Sequence, residues 1–131
     1  MTPSVKAHVF DAVASGNQPA LTEQIKSIPK LVFSHDAFGR TPLHVAAAGD
    51  FKGVATVLLK SKADVMAKDD RGWTPLHEAA AHNSADVANL LIANNADVNA
   101  KDKKGKTPLT IAKEKGNKDM ATMLMKHGGQ E

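Results

Sequence analysis

Short stripes of apolar residues, spaced three and four apart, run along this chain and are separated by polar turns. This spacing places side chains on one face of a helix. The stripes come in pairs, so each predicted helix is followed closely by a second one, and the pattern predicts an all-α protein built from helical hairpins. The clearest stripes are Leu43, Ala46, Ala47; Val54, Val57, Leu58; Leu76, Ala79, Ala80; Val87, Leu90, Leu91; and Met120, Met123, Leu124.

The hairpins recur with a fixed period. Thr41-Pro-Leu-His44 is followed by Thr74-Pro-Leu-His77 and Thr107-Pro-Leu-Thr110, with a spacing of 33 residues each time. Threonine is a good helix N-cap, and proline is best tolerated in the first helical turn. The first helix of each hairpin should therefore begin at the proline, which predicts helices over residues 42–48, 75–82 and 108–115.

A polar loop precedes each Thr-Pro and keeps the same period. Its Asp-x-x-Gly sequence predicts a turn in which the glycine adopts a positive φ. One hairpin cannot bury its apolar side alone, so we expect successive hairpins to stack, with these loops projecting from the stack. The turn sequences are Asp36–Gly39, Asp69–Gly72 and Asp102–Gly105.

These elements together resemble the ankyrin repeat: Thr-Pro-Leu-His-x-Ala-Ala, a leucine pair, Ala-Asp-Val-x-Ala, then Asp-x-x-Gly. The resemblance implies an all-α solenoid of about four helix-turn-helix repeats with loop fingers, in which the divergent terminal repeats act as caps. It also implies that His44 and His77 hydrogen-bond to loop backbone. We expect a single ankyrin-repeat domain over residues 1–131, with repeats at 4–35, 36–68, 69–101 and 102–131.

Composition narrows the chemistry. The chain has no cysteine, which excludes disulfides, thiolate metal ligands and a cysteine nucleophile. No apolar run suggests a signal peptide or a membrane span, so we expect an intracellular protein, cytoplasmic or, in a eukaryote, nuclear. No catalytic motif and no converging set of metal ligands is present. We expect no enzyme activity, no cofactor and no bound metal.

The net charge of +3 is unevenly distributed. Residues 1–100 sum to −1 and residues 101–131 to +4, with lysines at 101, 103, 104 and 106. This basic segment has three interpretations: a solvated loop, a patch that attracts an acidic protein partner, or a nucleic-acid contact. Asp97-Val-Asn99 also resembles the sequence at which ankyrin repeats of animal cells are hydroxylated on asparagine, although Asn99 equally fits an ordinary loop.

The resemblance implies a protein-binding module, monomeric in isolation, that acts as an adaptor or inhibitor through its loop tips and first helices. Alternatives are a scaffold that self-associates through a capping face such as the Met-rich last helix, and a nucleic-acid binder. We expect Trp73 to face outward as the binding anchor, the alternative being that it folds back over a neighbouring loop. The predicted partner-binding residues are Phe38, Arg40, Asp70, Arg71, Trp73, Glu78, His82, Lys103, Lys104 and Lys106.

Overall fold

In the computed structural model, residues 5–131 form eight α-helices, one short 3₁₀ helix and no strand. Residues 1–4 lie outside the described part, and with them the first residue of the repeat predicted at 4–35. The helices are α1 (Val5–Ala14), α2 (Gln18–Ser27), the 3₁₀ helix (Pro29–Phe33), α3 (Pro42–Gly49), α4 (Lys52–Lys60), α5 (Pro75–His82), α6 (Ala85–Ala93), α7 (Pro108–Glu114) and α8 (Lys118–Lys126).

The first helices begin where the Thr-Pro sequences predicted. At α3, the backbone N–H of His44 donates to the Thr41 hydroxyl at 3.3 Å, and the Thr41 N–H donates to Nδ1 of His44 at 3.1 Å. This reciprocal cap satisfies two backbone groups that a helix start otherwise leaves unpaired. The predicted ends of α3, α5 and α7 are each correct to within one residue.

Polar side chains tie the α3–α4 hairpin to the α5–α6 hairpin, and the latter to the α7–α8 hairpin. Asp50, which follows α3 in a left-handed conformation, accepts the N–H of Val87 in the first turn of α6 at 3.0 Å. One repeat further on, the side-chain amide of Asn117 donates to the carbonyl of Ala80 at 2.8 Å. Since these bonds join different hairpins, they fix the spacing of the stack.

The hairpins stack into two rows of helices around one continuous core. The inner row consists of α1, α3, α5 and α7, and the outer row includes α2, α4 and α6, each packed on its neighbour. Buried alanines, such as Ala46 and Ala79, allow the inner helices to approach closely. The predicted all-α solenoid is therefore confirmed. None of the helices within residues 5–131 is long and apolar enough to cross a membrane.

Candidate functional site

Three loops project beside the inner helices, and we call them the first finger (residues 36–40), the central finger (69–73) and the last finger (102–106). Oδ1 of Asp36 accepts the backbone N–H groups of Phe38 and Arg40, both at 2.9 Å. The leading aspartates of the other fingers accept from the equivalent third and fifth residues at 2.8–3.0 Å. Each finger is thus a closed turn whose third residue lies at its tip.

These bonds hold the three aspartates ionised. Burial alone would raise the pKa of Asp36, Asp69 and Asp102, but the hydrogen bonds they accept outweigh burial and lower each pKa below its usual value. Asp69 and Asp102 are almost fully buried. Their negative charges therefore serve the turns and are largely withheld from a partner.

Backbone hydrogen bonds also join the fingers to one another. The N–H of Asp70 donates to the carbonyl of Phe38, and the N–H of Lys103 donates to the carbonyl of Arg71, both at 3.0 Å. Gly72 lies at this second junction with a φ of 77°, and a Cβ on it would come within 2.8 Å of the Lys103 nitrogen. The fingers form one stack, and glycine is needed where they approach most closely.

The two motif histidines hold the finger bases. Nε2 of His44 lies 2.6 Å from the carbonyl oxygen of Trp73, and Nε2 of His77 lies 2.9 Å from that of Lys106. Because Nδ1 of each ring accepts a threonine N–H, Nε2 carries the proton and donates. Burial lowers the pKa of both histidines. The hydrogen bonds to loop backbone that the resemblance implied are confirmed.

The first finger presents an aromatic side chain to solvent. Phe38 is 64% exposed, and the guanidinium of Arg40 lies 5.3 Å from its ring centroid. Arg40 is itself held by Asp36, with Nε 2.8 Å from Oδ2. A shallow cleft of about 300 Å³ is lined by these side chains and the central finger, so four of the predicted residues meet here: Phe38, Arg40, Asp70 and Arg71.

The expectation that Trp73 faces outward is wrong, because its side chain folds back over the last finger. Its indole N–H donates to Oδ2 of Asp102 at 3.0 Å, and its ring is half-buried against the core. The guanidinium of Arg71 covers one side of the indole at 3.7 Å from the ring centroid, and His77 stacks on it at 6.1 Å. Trp73 thus joins two fingers.

Glu78 corrects a second expectation, since its side chain is only 3% exposed. It forms an ion pair with Arg71, and its Oε2 lies 3.3 Å from Nε2 of His82, which remains half exposed. The sequence held a signal of this burial: the residues one repeat away on either side are Val45 and Ile111, both apolar.

Arg71 is therefore neutralised from two sides. It also pairs with Asp69, with Nη2 2.5 Å from Oδ2. Burial alone would lower the pKa of Arg71, but these two carboxylates outweigh burial and raise it. Glu78 accordingly positions Arg71, and its carboxylate is almost closed to solvent.

The last finger carries the basic residues. Lys103 and Lys104 are exposed, whereas Lys106 reaches Glu114 on α7, with Nζ 2.8 Å from Oε2. A cleft of about 410 Å³ lies between these lysines, Trp73 and α7. Lys115, which follows α7 as its C-cap, also lines it, although it is not among the predicted partner-binding residues.

Other candidate chemistry is limited. Among residues 5–131, no group of three or more histidine, aspartate or glutamate side chains is arranged to hold a metal ion. Asn99 is engaged on both atoms of its amide: Nδ2 donates to the carbonyl of Gly128 at 3.1 Å, and Oδ1 accepts the N–H of Gln130 at 2.7 Å. It therefore ties residues 128–130 of the last repeat to the loop that follows α6 in the preceding repeat.

Comparison with known families agrees with this geometry. A family model for ankyrin repeats in three copies matches residues 9–102, which is more than half of the chain. The chain belongs to the ankyrin repeat family. A second ankyrin model, for many copies, matches residues 85–125. No curated protein matches the chain. Ankyrin repeats generally mediate protein–protein interaction and are typically binding modules without enzymatic activity.

Proposed function

We propose that this ankyrin protein binds a partner protein through its finger tips and inner helices, and acts as an adaptor or inhibitor by occupying the partner's surface. The observation that carries the proposal is the exposed Phe38 on a finger that hydrogen bonds hold both internally and to the central finger. An aromatic side chain that is exposed on a rigid turn loses little conformational entropy on binding, which favours affinity.

The rigidity of the tips supports this role. The carboxylate of Asp36 fixes the first finger internally, and the bond from Asp70 to the carbonyl of Phe38 fixes it to the central finger. The guanidinium of Arg40 lies over the ring of Phe38 and places a cation next to the exposed aromatic side chain. Aromatic and arginine side chains are those most enriched among the residues that dominate binding energy.

The test compares two exposed phenylalanines. A photo-crosslinking amino acid is placed at Phe38, on the first finger, or at Phe33, which is 54% exposed on the 3₁₀ helix. In the cells of origin, we expect position 38 to form a defined covalent adduct with one protein and position 33 to form none. Phe38→Asp should abolish retention of that protein, whereas Phe33→Asp should not. Equal adducts from both positions would overturn the proposal.

Self-association is a second candidate, favoured by one observation on the last helix. Met125 on α8 is 49% exposed and lies beside a shallow cleft formed with Ala121 and Thr122. However, Met120 is buried and Met123 packs on the core, so little apolar area is presented. We therefore expect a monomer by light scattering, and a dimer that Met125→Glu dissociates would favour the second candidate instead.

A further inference from the structure

The cleft between the central and last fingers has an excess of positive charge that the fold does not use. Five cationic side chains and only two carboxylates line its volume of about 410 Å³. The cationic residues are Arg71, Lys103, Lys104, Lys106 and Lys115.

Two of these five cations are already neutralised. Arg71 pairs with Asp69 and Glu78, and Lys106 pairs with Glu114. In the part of the chain that the structure describes, no carboxylate lies within ion-pair distance of the other three, Lys103, Lys104 and Lys115.

Asp102, the second carboxylate of the cleft, does not offset these lysines by pairing with them. It accepts the Trp73 indole N–H and the backbone N–H groups of Lys104 and Lys106. The remaining backbone donors of the last finger are also occupied, since Lys103 donates to Arg71 and Gly105 to Asp102. An anionic ligand would therefore be held by the lysine side chains alone.

The state of Trp73 distinguishes between the two main classes of anionic partner. Proteins that bind single-stranded nucleic acid stack bases on exposed aromatic faces. Here Arg71 covers the indole at 3.7 Å and His77 stacks on it, so the ring is not free for a base. Three mobile ammonium groups suit the carboxylates of a flexible chain, which require no fixed fork geometry.

We propose that this cleft binds an acidic segment of the partner protein, with aspartate or glutamate side chains placed against Lys103, Lys104 and Lys115. This inference rests on the proposed function and names the chemistry of the partner. It also assigns a direction to the interaction, with the aromatic contact at the first finger and the acidic contact at the last.

A fluorescein-labelled hexaglutamate peptide tests the cleft directly, by fluorescence anisotropy at physiological salt. We expect saturable binding, and no binding of hexalysine. The variant Lys103→Glu/Lys104→Glu/Lys115→Glu should weaken binding about tenfold or more, as expected for the loss of three exposed charge pairs. The matched control, Lys52→Glu/Lys60→Glu/Lys126→Glu, changes the same charge at exposed lysines away from the cleft and should bind normally.

Three results would overturn the inference: no binding of hexaglutamate, equal weakening in both variants, or tighter binding of an oligothymidylate that the cleft variant abolishes. The last result would indicate nucleic acid. The crosslinking experiment keeps the two proposals separate. If the adduct at position 38 forms but the partner is retained equally by both lysine variants, the acidic-segment inference fails and the protein-binding function stands.

Discussion

The first and central fingers each contain one aromatic residue and one arginine, but in opposite order, and the side chains make different contacts. In the first finger, phenylalanine is third and arginine fifth; in the central finger, arginine is third and tryptophan fifth. Phe38 at the tip is 64% exposed, whereas Trp73 at the fifth position bonds to Asp102 and packs on the core. The aromatic ring at the tip of the first finger is therefore available to a partner, whereas the ring at the fifth position of the central finger is held by the next finger.

Substitution by alanine should give the largest difference in stability between the two fingers at their arginines, Arg71 and Arg40. Arg71→Ala leaves Asp69 and Glu78, whose side chains are 1% and 3% exposed, without their shared cation. Removing one partner of a buried ion pair is costly; because Arg71 is itself 47% exposed, we expect a loss of about 2–3 kcal/mol in the free energy of unfolding. Arg40→Ala breaks one partly exposed pair and should cost about 0.2–1 kcal/mol. Urea unfolding followed by circular dichroism measures both.

The control removes the negative charge of Glu78, which Arg71 neutralises. Adding Glu78→Gln to Arg71→Ala should recover part of the stability, because one unpaired carboxylate is then gone. Equal losses for the two arginine variants would contradict the contrast between the fingers.

The second-largest difference in stability should come from the two aromatic residues, Trp73 and Phe38. Trp73→Ala removes a half-buried ring and leaves Asp102 without the indole N–H, so we expect a loss of about 2 kcal/mol, below the range for a fully buried tryptophan. Phe38→Ala should change the free energy of unfolding by about 0.5 kcal/mol or less, because its ring is mostly in solvent. The same urea titrations measure this, and a destabilising Phe38→Ala with a neutral Trp73→Ala would reverse the assignment.

The backbone of the fold could be predicted from the sequence because local chemistry determines it. Thr41 and Pro42 mark the start of α3, and the Asp-x-x-Gly order marks the turn in which Gly72 has a positive φ. The stacking of hairpins could be predicted from the 33-residue period, since similar units bury equivalent faces against their neighbours.

The orientation of the finger side chains could not be predicted in this way. Trp73 is directed by Asp102, 29 positions along the chain and in another finger. The burial of the Glu78 carboxylate depends on its ion pair with Arg71. No local sequence rule predicts that this arginine side chain reaches Glu78. For the same reason, the exposed Phe38 and the unpaired Lys103 could be listed from the sequence but not distinguished there from their buried or paired neighbours.

The fingers should also respond to pH through the histidines that hold their bases. Burial lowers the pKa of His44 and His77, so as pH falls below the unfolded value of about 6.5 the unfolded chain takes up protons that the folded chain does not. The contribution of the two neutral histidines to the free energy of unfolding is therefore complete above that pH. It decreases as the pH falls below about 6.5, by up to about 1.4 kcal/mol per pH unit for each histidine.

The last repeat supplies the control for this effect, since Thr110 occupies the histidine position there. His77→Thr should lower stability at neutral pH and reduce the pH dependence between about pH 5 and 6.5. Unfolding free energies measured across this range check the sign. An unchanged slope would mean that His77 does not remain neutral in the folded protein.

The smallest change in stability is expected in the last finger, where lysine occupies both the third and the fifth position. Lys106, at the fifth position, pairs with Glu114, whereas Lys104, at the tip, is exposed. Lys106→Ala should cost about 0.5 kcal/mol at low salt and less at high salt, because screening weakens an exposed pair. Lys104→Ala should have no measurable effect on stability and should weaken hexaglutamate binding. If instead Lys104→Ala destabilised the protein, the tip would be part of the scaffold, and the separation between supporting fifth positions and exposed tips would hold only for the first finger.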